Sequence, residues 1–321
     1  MRALQFHEFG DPSKLSLGDW PDPLGDEATA VVRIVAASVN PSDVKNVAGQ
    51  MEGTLLPRVP GRDFSGVVER GPAEWVGAEV WGTGGEIGFS ADGTHAERIA
   101  FPIHALVRKP HNLGHSAAAA VGVNFIIAWL GAVLYAEARA GETMAVVGAG
   151  GGVGGAVIQI AKARGCRVIG VDRQPPPPDS PAGQLIDAFF LSTGDFAADV
   201  KRLTRGRGAD VVFDAVGGVL FEPSVSALGH RGRLVEISAT GKRRVEFDAI
   251  DFYHKEGRIF GADSRKVDTI GSAKILASLV LGFETGQYRA PHVAGTYRLA
   301  DGVAAYRAVA SGTPGRVVLE V

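Results

Sequence analysis

The pattern of apolar and polar positions changes character near residue 117. Before it, apolar runs are short and Pro or Gly interrupts them every few residues, at Pro21, Pro23, Gly25, Pro41, Gly49, Pro57, Pro60, Gly61, Gly82, Gly84 and Gly85. Strands are predicted at Ala30–Ala37, Gly66–Glu69 and Glu79–Trp81, and the punctuation suits a small irregular barrel rather than helices. After it, strand-like runs at Met144–Gly148, Val168–Val171, Val211–Phe213, Leu234–Ile237 and Arg258–Phe260 alternate with helical segments, the mark of a doubly wound parallel sheet. These runs are apolar on both faces, so helices should cover both sides. From about Lys266 the pattern is mixed again and ends in Arg316-Val-Val-Leu-Glu-Val321, a strand able to rejoin the first lobe. The expected fold class is α/β, with one domain from residues 1–117 and 266–321 and a second from 118–265.

Ser116 to Ala136 carries no charge and is long enough by hydropathy to cross a bilayer. It also holds Gly122, Asn124 and Gly131, lacks flanking Lys/Arg clusters and leads directly into a glycine-rich motif, so a buried segment joining two lobes is expected and no membrane span. A length of 321 residues suits two domains. With a net charge of −2 and both signs dispersed, no basic face offers itself to nucleic acid. The one cysteine, Cys166, excludes internal disulfides and thiolate metal clusters. The charged start Met1-Arg-Ala-Leu-Gln-Phe-His-Glu has no export-signal core, and a cytoplasmic location is expected.

Thr143 to Asp172 carries the clearest chemistry. A strand runs into Gly148, Gly150, Gly151, Gly152, Val153 and Gly154; a helix follows with Val157, Ile160 and Ala161 on one face, and a second strand closes the segment. Glycines here let the backbone turn tightly and approach a diphosphate, while the helix start offers unpaired N–H groups and a positive dipole end. Strand, loop, helix and strand within about 30 residues give the glycines their meaning. Asp172 lies 18 residues beyond Gly154 (172 − 154), where a carboxylate accepts both ribose hydroxyls of NAD and repels the 2′-phosphate of NADP. Arg173 beside it would pair with that phosphate, so NADH and NADPH both stay open.

Together with Val39-Asn-Pro-Ser-Asp-Val-Lys45, Pro60-Gly-Arg-Asp-Phe-Ser-Gly66, Gly93-Thr-His-Ala-Glu97, Gly208-Ala-Asp-Val-Val-Phe-Asp-Ala-Val-Gly-Gly218 and Gly315-Arg-Val-Val-Leu319, these residues resemble the medium-chain dehydrogenase/reductase superfamily nearly end to end. Within it the chain is most similar to the zinc-free quinone oxidoreductase and enone reductase branch, which includes zeta-crystallin. The resemblance implies a GroES-like β-barrel catalytic domain built from both chain ends, a Rossmann domain, an active site in the cleft between them, and a homodimer formed through the sheet edge near Arg258–Ala262. Where zinc-dependent relatives hold their catalytic metal with a Cys, a His-Glu pair and a second Cys, this chain has Asn40, Arg62-Asp63 and approximately Val123, with no thiolate or imidazole among them. No metal site is expected, and alcohol oxidation loses its Lewis acid.

Hydride would then pass to a carbon already activated by conjugation with a carbonyl, as in quinones and enones, with donors where the oxygen becomes enolate-like. The candidates are Asn40, Lys45, Arg62 and Asn124, with Asp43 and Asp63 orienting Arg62 and Lys45. A Tyr that often stands near Lys45 in the resembling enzymes is missing, which leaves the proton donor open. Val216 and Gly217, by resemblance, and Ser238, at another strand end, should line the nicotinamide pocket. His95, His104, His111 and His115 share no metal-site spacing and read as surface or packing residues. The segment Gln174 to Asp187 departs from the family through the proline run Pro175–Pro178. Alternative readings are a dinucleotide-binding protein with little catalysis, as among crystallins, and an enoyl-thioester reductase or polyol dehydrogenase.

Overall fold

The computed structural model describes all 321 residues. They form two compact units: unit 1 is Met1–Val123 with Ser264–Val321, and unit 2 is Asn124–Asp263. The chain therefore leaves unit 1 at 123/124 and returns at 263/264, beside the junctions at 117/118 and 265/266 expected from the pattern.

Unit 1 opens with an antiparallel pair, β1 (Arg2–Gln5) and β2 (Ser16–Asp19). β3 (Thr29–Val39) follows, then the short helix α1 (Pro41–Val47), β4 (Asp63–Arg70), β5 (Glu79–Gly82), β6 (Arg98–Pro102) and β7 (Val107–Arg108). β3 is buried at most positions instead of alternating, because it pairs with β4 along its length and with β6 beside its first half. Phe64 and Phe101 meet edge to face beneath it at 5.0 Å. Two helices, α2 (His115–Ala119) and α3 (Gly122–Trp129), and a π-helical stretch, Leu130–Tyr135, occupy the uncharged run. No helix is long and apolar enough to cross a membrane.

Unit 2 alternates β8 (Thr143–Val147), α4 (Gly152–Ala163), β9 (Arg167–Asp172), α5 (Pro181–Leu185), β10 (Ala188–Leu191), α6 (Phe196–Leu203), β11 (Ala209–Asp214), α7 (Phe221–Ser226), β12 (Leu228–Glu236), α8 (Ala249–His254) and β13 (Arg258–Gly261). All neighbours pair in parallel, in the order β10-β9-β8-β11-β12-β13. That is the Rossmann arrangement: the chain winds outward from β8 to one side and then from β11 to the other, leaving a crevice where the two halves diverge. α4 stops at Arg164 because Gly165, at φ +78°, takes the left-handed position that ends a helix cheaply. At 174–187 only the five-residue α5 forms, capped by Ser180, whose hydroxyl accepts the Gly183 N–H at 3.0 Å.

The chain then re-enters unit 1 through α9 (Thr269–Glu284), β14 (Val293–Arg298), α10 (Gly302–Ala310) and β15 (Arg316–Glu320). β15 pairs antiparallel with the second half of β3, Val317 opposite Val39, so the chain end completes the sheet that its first hundred residues begin.

The centre of unit 2 is tightly filled. Phe213 on β11 is fully buried, and a Cβ on Gly131 would fall 2.4 Å from its ring and 2.7 Å from Val235. Phe213→Ala should cost about 3–5 kcal/mol, read as a lower denaturant midpoint, since the surrounding strands cannot collapse onto the void.

Candidate functional site

In unit 1 the polar residues gather where β3, β4, α1 and β15 meet. Asn40 follows β3 and caps α1, Pro41 fixes the first helical turn, and Asp43 reaches back so that its Oδ2 accepts the Asn40 N–H at 2.7 Å. Asp63, wholly buried, begins β4. Its Oδ2 accepts from the Ser38 hydroxyl at 3.1 Å and the Asn40 amide at 3.0 Å, and its Oδ1 accepts the Val123 N–H at 2.9 Å. Arg316 approaches from β15: its guanidinium donates to the Ser38 hydroxyl at 2.7 Å and the Asn40 carbonyl oxygen at 2.6 Å, and lies 3.7 Å from Asp63. Burial pulls the Arg316 pKa down while the charges of Asp63 and Asp43 hold it up.

A second buried pair lies close by. His95 Nε2 faces the Ser38 carbonyl at 3.2 Å, and its Nδ1 faces the Tyr306 hydroxyl at 2.9 Å. A carbonyl only accepts, so Nε2 carries the hydrogen and Nδ1 accepts from Tyr306; the ring is neutral. Burial moves His95 down to about 4 and, with the repulsion of Asp63, moves Asp43 up to about 7.

This geometry revises the roles expected for the unit 1 candidates. Asn40 is a brace whose carbonyl and one amide hydrogen are engaged, leaving the second amide hydrogen to donate. Asp43 is a buried helix cap. Asp63 holds Ser38, Asn40, Val123 and Arg316 rather than orienting Lys45, which is exposed on α1. Arg62 is buried beside this cluster, donates to the Ser264 hydroxyl at 3.3 Å and faces the Phe89 ring. Arg316, Ser38 and Tyr306 are the partners that the motifs did not single out.

In unit 2, β8 ends at Val147 and the chain turns at Gly148 with φ +83°. A Cβ on Gly154 would lie 2.0 Å from the Gly148 carbonyl oxygen, so only glycine lets α4 start this close to the turn. Gly151 caps α4 without a side chain, which leaves the first N–H groups of the helix pointing outward. Asp172, at the end of β9, accepts the Gly150 N–H at 2.9 Å and the Arg173 N–H at 2.7 Å. Val153 follows in the first turn of α4. Asn124, 5% exposed, belongs with this cradle: its amide nitrogen has no hydrogen-bond partner and lies 2.8 Å from where a Cβ of Gly152 would stand. A concave, side-chain-free turn at a helix start fits a dinucleotide diphosphate.

Beyond β11, Asp214 Oδ1 accepts the N–H groups of Val216 at 2.9 Å and Gly217 at 2.7 Å, and its Oδ2 accepts the Ser224 hydroxyl at 2.8 Å. The 215–218 turn lies against the turn after β12: the Thr240 N–H donates to the Val216 carbonyl at 2.9 Å, and Gly217 bridges Ala239. Val216, Gly217 and Ser238 are thereby brought together.

Comparison with known proteins decides the family. Over 295 residues, 90% of this chain and 87% of the relative, it is 36% identical to a zinc-type alcohol dehydrogenase-like protein of Schizosaccharomyces pombe. The chain belongs to the medium-chain dehydrogenase/reductase superfamily. Within it, the chain falls in the zinc-free quinone oxidoreductase-like branch and is an NAD(P)H-dependent oxidoreductase acting on a small molecule. Residues 26–111 match the alcohol dehydrogenase GroES-like domain and residues 152–276 the zinc-binding dehydrogenase family. The quinone oxidoreductase of Pongo abelii is 28% identical over 99% of this chain and 97% of its own length. A mycobacterial protein solved in complex with NADPH superposes with a TM-score of 0.85 at 25% identity, covering all of both chains. The family model matched over residues 152–276 is described as zinc-binding, yet at the positions that the resemblance sets against the metal ligands stand the amide of Asn40, the Arg62-Asp63 pair and, approximately, Val123.

His95 and Asp43 act on stability with opposite signs. His95, lowered on folding, contributes stability that is present above about pH 6.5 and lost as pH falls through about 4. Asp43, raised on folding, contributes stability that is present below about 3.8 and lost as pH rises through about 7. Between pH 4 and 6.5 they oppose each other. In Asp43→Asn the opposing Asp43 contribution is removed, so the urea midpoint should climb more steeply over that window than in the wild type.

Proposed function

We propose that this oxidoreductase passes hydride to the electron-poor carbon of a quinone or an α,β-unsaturated carbonyl, and that it draws the hydride from NADH in preference to NADPH. The observation that carries the reading is the Asn40–Asp63–Arg316–Ser38 cluster. Its Asn40 and Asp63 stand where, by the resemblance, zinc-dependent relatives hold their metal, and the cluster contains no thiolate or imidazole to hold a Lewis acid. An alcohol oxidised without such help would have to lose its proton unaided, whereas a conjugated carbonyl arrives already polarised. What it needs from the protein is a donor for the oxygen that becomes enolate-like, and the donors at hand are the remaining Asn40 amide hydrogen, Arg62 and Lys45.

On unit 2, the start of α4 would hold the diphosphate, with Asn124 adding a neutral donor beside Gly152. The reduced dinucleotide supplies the hydride when bound. Val216, Gly217 and Ser238, on adjoining turns at the carboxyl ends of β11 and β12, would seat its nicotinamide end, since ligands of open parallel sheets collect outside those strand ends. Asp172 supports NADH: two backbone N–H groups fix its carboxylate at the end of β9, where it would accept ribose hydroxyls and repel a phosphate. A homodimer through β13, the outer strand of its sheet with Ile259 exposed, completes the proposal.

Purified protein should oxidise NADH when a benzoquinone or an enone is added, at a rate that EDTA does not change. Loss of turnover in EDTA, or NAD-dependent oxidation of saturated alcohols at a comparable rate, would overturn the reading. Asp172→Ser should shift the ratio of kcat/KM for NADPH over NADH upward by at least about ten-fold, roughly 1.4 kcal/mol of discrimination.

A further inference from the structure

Glu236 closes β12 directly opposite Asp214, its register partner at the end of β11, so the two carboxyl side chains emerge on the same side of adjacent parallel strands. Their surroundings differ sharply. Asp214 is satisfied by three donors, as a buried carboxylate should be. Glu236 accepts the Ser238 N–H at 3.2 Å on Oε1 and feels the Ile237 N–H, while its Oε2 is buried without any hydrogen-bond partner. Above it lie the two turns that carry Val216, Gly217 and Ser238. Gly217, at φ +59°, is pressed so closely onto the glutamate that a Cβ there would fall 2.3 Å from Oε1 and 1.9 Å from the Ser238 carbonyl oxygen.

We infer that Glu236, in its uncharged form, is the positioning residue for the nicotinamide end of the cofactor, a wedge beneath the 215–218 and 237–241 turns whose ionisation drives those turns apart. A charged Glu236 would place an uncompensated carboxylate beside Asp214, with Oε2 lacking any donor. A hydrated, charged carboxylate needs more room than the contact with Gly217 leaves, and the strain falls on the Thr240-to-Val216 bond and the Gly217–Ala239 bridge that join the turns. Burial, and then the charge of Asp214, push its pKa up to about 8, against the pull of the Ser238 and Ile237 N–H groups. The other elements packed here present no charge to it: β13 places Gly261 opposite Glu236, and the π-helical stretch places Gly131 against Val235. Asp214 is thus the one ionised group that faces it.

The inference rests on the proposal that Val216, Gly217 and Ser238 seat the nicotinamide, and it is tested by calorimetry with NADH and with ADP-ribose, which lacks the nicotinamide, from pH 6.5 to 9.5. With the wild-type protein the NADH Kd should be level below about pH 8 and rise above it, approaching ten-fold per pH unit as for loss of a single proton. The ADP-ribose Kd should stay level throughout. In Glu236→Gln, which keeps the shape but cannot ionise, the rise for NADH should vanish, whatever the affinity at pH 7. A level wild-type NADH profile, an equal rise for ADP-ribose, or an unchanged rise in the Gln variant would each overturn the role of Glu236. The wild-type comparison of the two ligands needs no variant to fold. Failure to bind either ligand at pH 7 would overturn the cofactor seat itself, a result distinct from loss of the pH dependence alone.

Discussion

Unit 1 depends on a buried charge pair that joins the ends of the chain. Arg316 meets Asn40 across 276 residues of sequence, and both meet the Asp63 carboxylate in a volume closed to water. Neither ion could be buried alone, because desolvation of a lone charge costs several kcal/mol and removing one partner of such a pair typically costs about 3–5 kcal/mol. The pair therefore sets the register of β15 on β3 as strictly as the apolar side chains do. It also joins the fold to the chemistry: the strand that completes the sheet delivers the guanidinium, and the guanidinium fixes Asn40 and Ser38.

Unit 2 repeats the device on another scale. Asp214 gathers two backbone N–H groups and a serine hydroxyl, shaping the 215–218 turn, and Asp172 gathers two N–H groups beside the glycine cradle. In each case a short acid at a strand end takes up backbone N–H groups that the ladder no longer pairs, and beyond β11 the turn passes through Gly217 and Gly218, both at positive φ. The turns at the strand ends are thus specified by carboxylates and glycines rather than by apolar packing. Glu236 breaks this rule, being an acid at a strand end with one buried oxygen left without a partner, and burial, together with the charge of Asp214, raises its pKa.

The architecture was legible wherever periodicity and punctuation agreed. The five parallel strands read from apolar runs are all present, as are the barrel strands through Ala30–Ala37, Gly66–Glu69 and Glu79–Trp81, and Arg316–Val321 does return to the first lobe. β10 escaped notice because Ala188–Leu191 is four residues long, half-buried at the outer edge of its sheet, and follows a proline-rich stretch that reads as loop. The glycine cradle could be read because its chemistry is local in sequence. The unit 1 cluster could not, because its logic is long-range: Asn40 and Asp63 read as separate candidates and Arg316 as none, and only the pairing of β15 with β3 shows that they hold one another. Glu236 gave no signal for a similar reason, since its meaning comes from the residue opposite it on β11 and from the glycine above it.

The same comparison separates two kinds of polar residue that a linear reading treats alike. Asn40 and Asn124 both present amides in motif positions, yet Asn40 is bound on both sides within unit 1, and Asn124 holds an unpartnered amide nitrogen against the first turn of α4. A buried amide donor without an acceptor costs about 1–3 kcal/mol, and a structure retains that deficit where something else supplies the acceptor. The first is therefore architecture with one hydrogen left over, and the second is an empty donor beside a helix start that already favours anions.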